Sequence, residues 1–135
     1  MNLKEMLPMP DLENCKSILC IQPHPDDNEV GAGGTIAKLI QRGCRVTYLT
    51  VTDGRKGTDD PELRGDRLAA IRREEAIAAA SMLGVTAHHW LGLPDGGYPD
   101  EQALCLSIAE VIAEVRPELV MTVDPFLPYE GHADH

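Results

Sequence analysis

The sequence predicts one α/β domain built on a parallel β-sheet, and three observations carry that prediction. Short apolar or β-branched runs alternate with longer stretches of helical spacing. Each short run gives way to a polar loop rich in Pro, Gly or Asp. The 135 residues suit a single compact domain with a core of its own. Strands and helices alternating at this rhythm form right-handed βαβ units, which set the strands parallel.

The elements follow in order. Residues 1–16, with two prolines and mixed charge, read as a lead-in segment that is partly helical near Met6. SILCIQ (17–22) is a short apolar run stopped by Pro23, which marks a strand. PHPDDNE (23–29) follows as a loop. From Glu29, helical spacing runs through Ile36, Leu39 and Ile40 to a glycine stop at Gly43. RVTYLTVT (45–52) is β-branched and reads as the second strand. DGRKGTDDPELRGD (53–66) is a Gly- and Asp-rich loop or lid. Residues 67–83 form the strongest helix, closed by Gly84, with Leu68, Ile71, Ala78 and Met82 as its apolar stripe. A third strand covers 87–91 and a loop covers 92–100. An amphipathic helix over 101–115 is halted by Arg116-Pro117. A fourth strand spans 118–123, and the chain ends in the loop DPFLPYEGHADH.

Composition bounds the partners. Twelve Lys and Arg stand against 22 Asp and Glu, for a net charge of -10. That excess repels phosphate backbones and anionic bilayers, so no nucleic acid and no membrane partner is expected. Cys15, Cys20, Cys44 and Cys105 contain no Cys-x-x-Cys pair. They read as free buried thiols in a reducing cytosol, not as a thiolate zinc site. No stretch approaches the roughly 20 apolar residues that cross a bilayer. The first residues carry no apolar signal-peptide core, so the expected location is cytoplasmic.

Four polar clusters, PHPDD, TDGR, LPDGG and EGHADH, each follow a predicted strand. In parallel sheets, ligands gather beyond the carboxyl ends of the strands. Four loops therefore converge on one edge. His24-Pro25-Asp26-Asp27 supplies one imidazole and two carboxylates within four positions. A catalytic zinc takes three protein ligands and keeps one position for water. On an extended segment neighbouring side chains point opposite ways, which lets His24 and Asp27 bind the metal while Asp26 faces the water. A third ligand comes from His132-Ala133-Asp134-His135, with His135 as the choice. His132 is then free to polarise a carbonyl oxygen or donate a proton, with Asp134 orienting it and keeping it charged. The bland alternatives are a solvated Asp/Pro turn and a frayed polar tail. His88 and His89 read as strand residues, and Glu29 as a helix-start acid. GAGGT (31–35) lacks the spacing of a phosphate-binding loop, and its glycines read as close-packing positions.

With both clusters in view, the chain resembles the LmbE-like/PIG-L family of metal-dependent de-N-acetylases. The resemblance runs through PHPDDNEVGAGGTIAKL (23–39), TYLTVTDGRKG (47–57), RREEAIAAASMLGV (72–85), LGLPDGG (91–97) and GHADH (131–135). It implies a Rossmann-like fold, a parallel sheet with helices on both faces, over residues 17–135. It also implies zinc-dependent hydrolysis of an N-acetyl group on a glucosamine-containing small molecule, with Fe2+ or another divalent ion as alternatives. Carried over by motif, His24, Asp27 and His135 match the metal ligands and Asp26 the general base. His132 matches the histidine that stabilises the oxyanion or protonates the amine. Arg55 and Asp95 lie in loops that bind substrate in the family. Asn28 stands where many relatives carry Glu. Relatives continue beyond the GHADH motif, so the sequence corresponds to the N-terminal part of the family fold, truncated at the C-terminus. Two rival readings are a metal-binding but inactive fragment and a nucleotide-binding Rossmann-like module. The apolar helix stripes leave room for a homo-oligomer.

Overall fold

A computed structural model describes residues 10–98 and 100–135. The helical turn expected near Met6 lies outside the described residues. Four strands and three helices alternate: β1 (Ser17–Gln22), α1 (Asp27–Gln41), β2 (Arg45–Thr52), α2 (Asp66–Leu83), β3 (Ala87–Leu93), α3 (Glu101–Val115) and β4 (Leu119–Met121). The strands form one parallel sheet in the order β3-β2-β1-β4.

The strand sequences explain this arrangement. All six residues of β1 and seven of eight in β2 are buried, as expected of central strands covered on both faces. Alternate residues divide between two cores. Ile18, Cys20, Val46 and Tyr48 pack with Ile36, Leu39 and Ala80 of α1 and α2. Leu19, Ile21, Leu49 and Val51 pack with Leu104, Ile108 and Val111 of α3. The sheet therefore carries helices on both faces. Ile18, Leu19, Ile36 and Leu49 are almost wholly buried, each worth about 1.5–3 kcal/mol of transfer free energy. Gln22 and Thr50, buried within these strands, are paired. Gln22 Nε2 donates to Thr50 Oγ1 (2.8 Å), which also meets His88 Nε2 (2.7 Å).

Several expectations need correction. The first helix begins at Asp27 and not Glu29, because Pro23–Asp26 is a tight turn, not an extended segment. β3 extends to Leu93, with a register shift against β2 between Thr50 and Thr52. β4 keeps only three residues, because it pairs with β1 only from Ile18 to Cys20. The stripe assigned to α2 is misplaced. Leu68, Ala76 and Ala80 are buried, whereas Ile71, Ala78 and Met82 are exposed. Positions 68, 72, 76 and 80 make one line, and its small alanines let the helix approach the sheet. Cys105 is exposed, so only three of the four thiols are buried. Gly31, Gly33 and Gly34 lie inside α1 with open space where a Cβ would point, so they neither pack closely nor form a loop.

Gly84 ends α2 as the sequence predicts. It sits at φ 92° with its N–H on the carbonyls of Ala80 and Ser81, and a Cβ there would meet Ile40 Cγ2 at 3.2 Å.

Candidate metal centre and active site

The loops after all four strands meet at the carboxyl edge of the sheet. The first is pinned by Thr52, whose N–H and hydroxyl both donate to the Pro23 carbonyl (2.8 Å each). His24 follows, buried, and Asp27 opens α1. The last loop brings back His132, Asp134 and His135, more than 100 positions later in the chain.

Three side chains from these two loops form a triangle, its Asp27 corner spread over both carboxylate oxygens. His24 Nδ1 lies 3.3 Å from His135 Nε2 and 3.6 Å from Asp27 Oδ2, and His135 Nε2 lies 3.7 Å from Asp27 Oδ1. Donors that share one ion at about 2.0–2.2 Å in tetrahedral geometry stand roughly 3.3–3.6 Å apart. The residues therefore fit a zinc-sized cation. The opposite nitrogen of each ring faces a carboxylate. His24 Nε2 meets Asp134 Oδ2 at 3.1 Å, and His135 Nδ1 meets Glu130 Oε2 at 3.1 Å. Rings that donate on those nitrogens keep the triangle-facing nitrogen unprotonated, the arrangement metal-binding histidines usually show. Glu130 was not singled out from sequence, because a lone Glu in a polar terminal loop carries no distinguishing pattern.

His24, His132 and His135 are also close enough to hold an ion together, and so is a second grouping of His24, Asp95, His132 and Asp134. Its carboxylates are already engaged. Asp134 accepts N–H bonds from Gly96 and Gly97 as well as facing His24, and Asp95 accepts the Lys56 N–H (3.1 Å). This group is better described as a hydrogen-bonded support for the triangle than as a second metal site.

Electrostatics follow from this crowding. Burial alone lowers the His24 pKa, but Asp27, Asp95 and Asp134 outweigh it, and the ring sits above its ordinary value. Burial alone raises the Asp27 carboxyl, and bonds from His24 together with the His135 charge carry it below the usual range. Asp134 is likewise held low, by Gly96, Gly97 and His24 against the effect of burial.

The other expected residues fall around this centre. Asp26 is exposed, with a positive φ of 152°, a conformation that costs a non-glycine residue about 1–3 kcal/mol. Its Oδ2 pairs with Arg72 at 2.8 Å. Arg72 also donates to the carbonyls of Pro25 (3.0 Å) and Gly54 (3.3 Å), so one guanidinium joins the loops after β1 and β2. It occupies the buried line of α2, where a sequence pattern expects an apolar residue. His132 is partly exposed and stands edge-on to His24, with ring centroids 4.4 Å apart. The Asp134 side chain turns to His24 and is 4.0 Å from His132, while the Asp134 N–H donates to His132 Nδ1 at 3.3 Å. Asp95 is the carboxylate facing His132 Nε2, at 3.8 Å. Arg55 is committed to Asp53 and, at 3.3 Å, to Asp66. Tyr98 was not anticipated; it donates to the Asp134 carbonyl (3.2 Å), and burial pushes its phenol up to about 12. His88 and His89 lie in β3, away from the centre.

A cleft of about 200 Å³ opens beside His24, lined by His24, Asp26, Gly57, Arg72, Asp95 and His132. Every side chain in that lining is polar. Such a surface suits a hydroxyl- and amide-bearing ligand. Among the described residues, no helix is long and apolar enough to cross a membrane.

The family described as GlcNAc-PI de-N-acetylase, PIG-L, matches residues 19–135. A diacetylchitobiose deacetylase of Thermococcus kodakarensis is 48% identical over 120 residues, covering 89% of this chain and 45% of that protein. A 1D-myo-inositol 2-acetamido-2-deoxy-alpha-D-glucopyranoside deacetylase of Kineococcus radiotolerans is 34% identical, covering 97% of this chain and 45% of that one. The solved N,N'-diacetylchitobiose deacetylase of Pyrococcus horikoshii, in complex with an inhibitor, superposes with a TM-score of 0.90 at 41% identity. That match covers 98% of this chain and 50% of the other. The chain thus spans about half the length of the relatives it matches.

Proposed function

Because the chain belongs to the PIG-L family of GlcNAc-PI de-N-acetylases, we propose that the whole protein is a zinc-dependent N-deacetylase acting on a glucosamine-containing small molecule. The observation that carries this reading is the triangle of His24 Nδ1, Asp27 and His135 Nε2, with edges of 3.3, 3.6 and 3.7 Å. Two imidazoles and a carboxylate suit Zn2+ first, with Fe2+ or another divalent ion also compatible. When bound, the cation supplies a Lewis acid and lowers the pKa of water from about 15.7 toward roughly 7.

The remaining work falls to side chains. Arg72 engages Oδ2 of Asp26 and holds that carboxylate at the cleft, and Oδ1 takes the proton from the attacking water. His132, at the same cleft, donates a hydrogen bond to the oxyanion, and Asp26 passes the proton it took from the water to the departing amine. Asp95 and the Asp134 N–H fix the His132 ring. Bonds from Gly96 and Gly97 keep the Asp134 carboxylate on His24, so the second loop pair is locked before substrate arrives. Arg72, which lines the cleft, is better placed than Arg55 to meet a sugar hydroxyl, and Asp95 contributes from the opposite loop. A cytoplasmic location belongs to the same proposal, supported by the three buried free thiols.

Elemental analysis after chelator-free purification, followed by acetate release from diacetylchitobiose and an N-acetylglucosaminyl inositol, tests the proposal. The expected result is close to one equivalent of zinc or iron and acetate release that a chelator abolishes. Failure to take up any divalent ion would overturn the metal centre. Metal uptake without acetate release would leave the centre standing and remove the deacetylase.

A further inference from the structure

Outside the site, the described residues hold a second group of reactive side chains, at the opposite end of the sheet. Cys15 sits just before β1 and Cys44 just before β2, and both are buried in the core beneath α1. The strand starts are tied together, since Ser17 pairs with Arg45 and the Arg45 N–H donates to the Lys16 carbonyl at 2.9 Å. That register sets Cys44 opposite Lys16, one residue from Cys15. Each thiol leans on a carbonyl at its own strand start, Cys15 Sγ on Ser17 (3.2 Å) and Cys44 Sγ on Arg45 (3.8 Å). Cys20, in the same core, pairs with Tyr48, four positions along from Cys44, and has no exposed surface.

A surface groove lies close to the pair. A groove of about 180 Å³ runs between the turn before β1 and α1, lined by Leu12, Glu13, Thr35, Lys38, Leu39 and Arg42. Leu39 belongs to the core that holds both thiols. Residues 10–14 are exposed; within their turn the Leu12 N–H donates to the Pro10 carbonyl and Asn14 Nδ2 to Asp11 Oδ2 (2.9 Å), and Glu13 pairs with Arg42 of α1 at 3.9 Å.

From this placement we infer that Cys15 and Cys44 are a modification site, joined as an intramolecular disulfide when a hydroperoxide is supplied. One thiolate attacks the peroxide oxygen; the O–O bond breaks, water leaves, and a sulfenic acid remains. The second thiolate attacks that sulfur, the S–S bond forms, and the S–O bond breaks to release a second water. Two thiols and one peroxide become one disulfide and two waters, so protons and electrons balance. Burial pushes the Cys44 thiol up, so closure is slow near neutrality and faster in alkali. The covalent link ties the start of β1 to the start of β2 and stiffens the end of the sheet remote from the metal centre.

The test is hydrogen peroxide treatment of the chain with chelator present, then alkylation, thiol counting under denaturing conditions, and peptide mapping. Free thiols are expected to fall from four to two, with a linked Cys15–Cys44 peptide. The linked peptide should vanish in both C15S and C44S and persist in C105S. The oxidised chain should also melt higher, by about 5 °C or more. Mapping the unsubstituted chain decides the matter even if C15S or C44S folds poorly. A Cys20–Cys44 link, a disulfide between chains through Cys105, or oxidation confined to Cys105 would each overturn the inference.

Discussion

His24 and His135 each present one nitrogen to the other and one to a carboxylate, Asp134 or Glu130. That double engagement separates them from ordinary buried histidines and makes their neighbours testable. D134N and E130Q should each weaken metal affinity by about 10- to 100-fold, measured by competition with a chelating dye, while leaving the ligand set intact. H24A, D27A and H135A should lose the metal altogether. D26N should keep full metal content while its acetate-release rate drops by about 10²–10⁴. Equal loss of metal in H132A and H135A would show that the two histidines do not divide their work as proposed.

At the scale of elements, the helix α2 and the loop after β2 are joined by Arg72. A Cβ on Gly54, which has a φ of 64°, would lie 2.5 Å from Arg72 Nη1, and one on Gly57 would lie 2.6 Å away. G54A should therefore displace the guanidinium from Asp26 and destabilise the chain by about 1–2 kcal/mol, read by urea unfolding. Across the sheet, Gln22, Thr50 and His88 form a buried polar row, continued to α1 by the Asn28 N–H on Gln22 Oε1 (2.9 Å). T50V should strand two of these groups at a cost of about 2–4 kcal/mol. The sequence disclosed much of this level. β1, β2 and α3 fall where composition and punctuation place them, because their apolar runs are bounded by Pro, Gly or charged residues. The buried face of α2 was legible only at Leu68, since the rest of it is two alanines and an arginine, while Ile71 and Met82 face outward. The convergence of four loops was legible from strand order alone. The contacts among them, such as Asp134 with Gly96 and Gly97, depend on tertiary placement that no local pattern encodes.

For the molecule as a whole, acidity acts through groups whose shifts oppose one another. Burial carries His88 down to about 4 from its ordinary 6.5, helped by Arg73 and His89. The native chain therefore binds fewer protons than the unfolded one between those values, and this residue's contribution is lost as pH falls from 6.5 to about 4. His24 shifts upward and works in the other direction while metal-free. A comparison with H88Q isolates the first effect. The stability lead of the unsubstituted chain should shrink as pH drops from 7 to 4, followed by thermal unfolding with chelator present. A lead independent of pH would mean that His88 is not held neutral in the fold. Below pH 4, protonation of Asp27, Asp53 and Asp134, all held low, removes further stability.

The order β3-β2-β1-β4 seats the last strand beside the first, through three paired residues. His24 therefore waits for partners that arrive from the far end of the chain. Contacts of such long sequence separation form late, after the entropy of closing the intervening loop has been met. In a refolding experiment, helical ellipticity should recover before cobalt absorbance appears, and the lag between them would time the docking of β4. The metal would then serve as a clock for that docking.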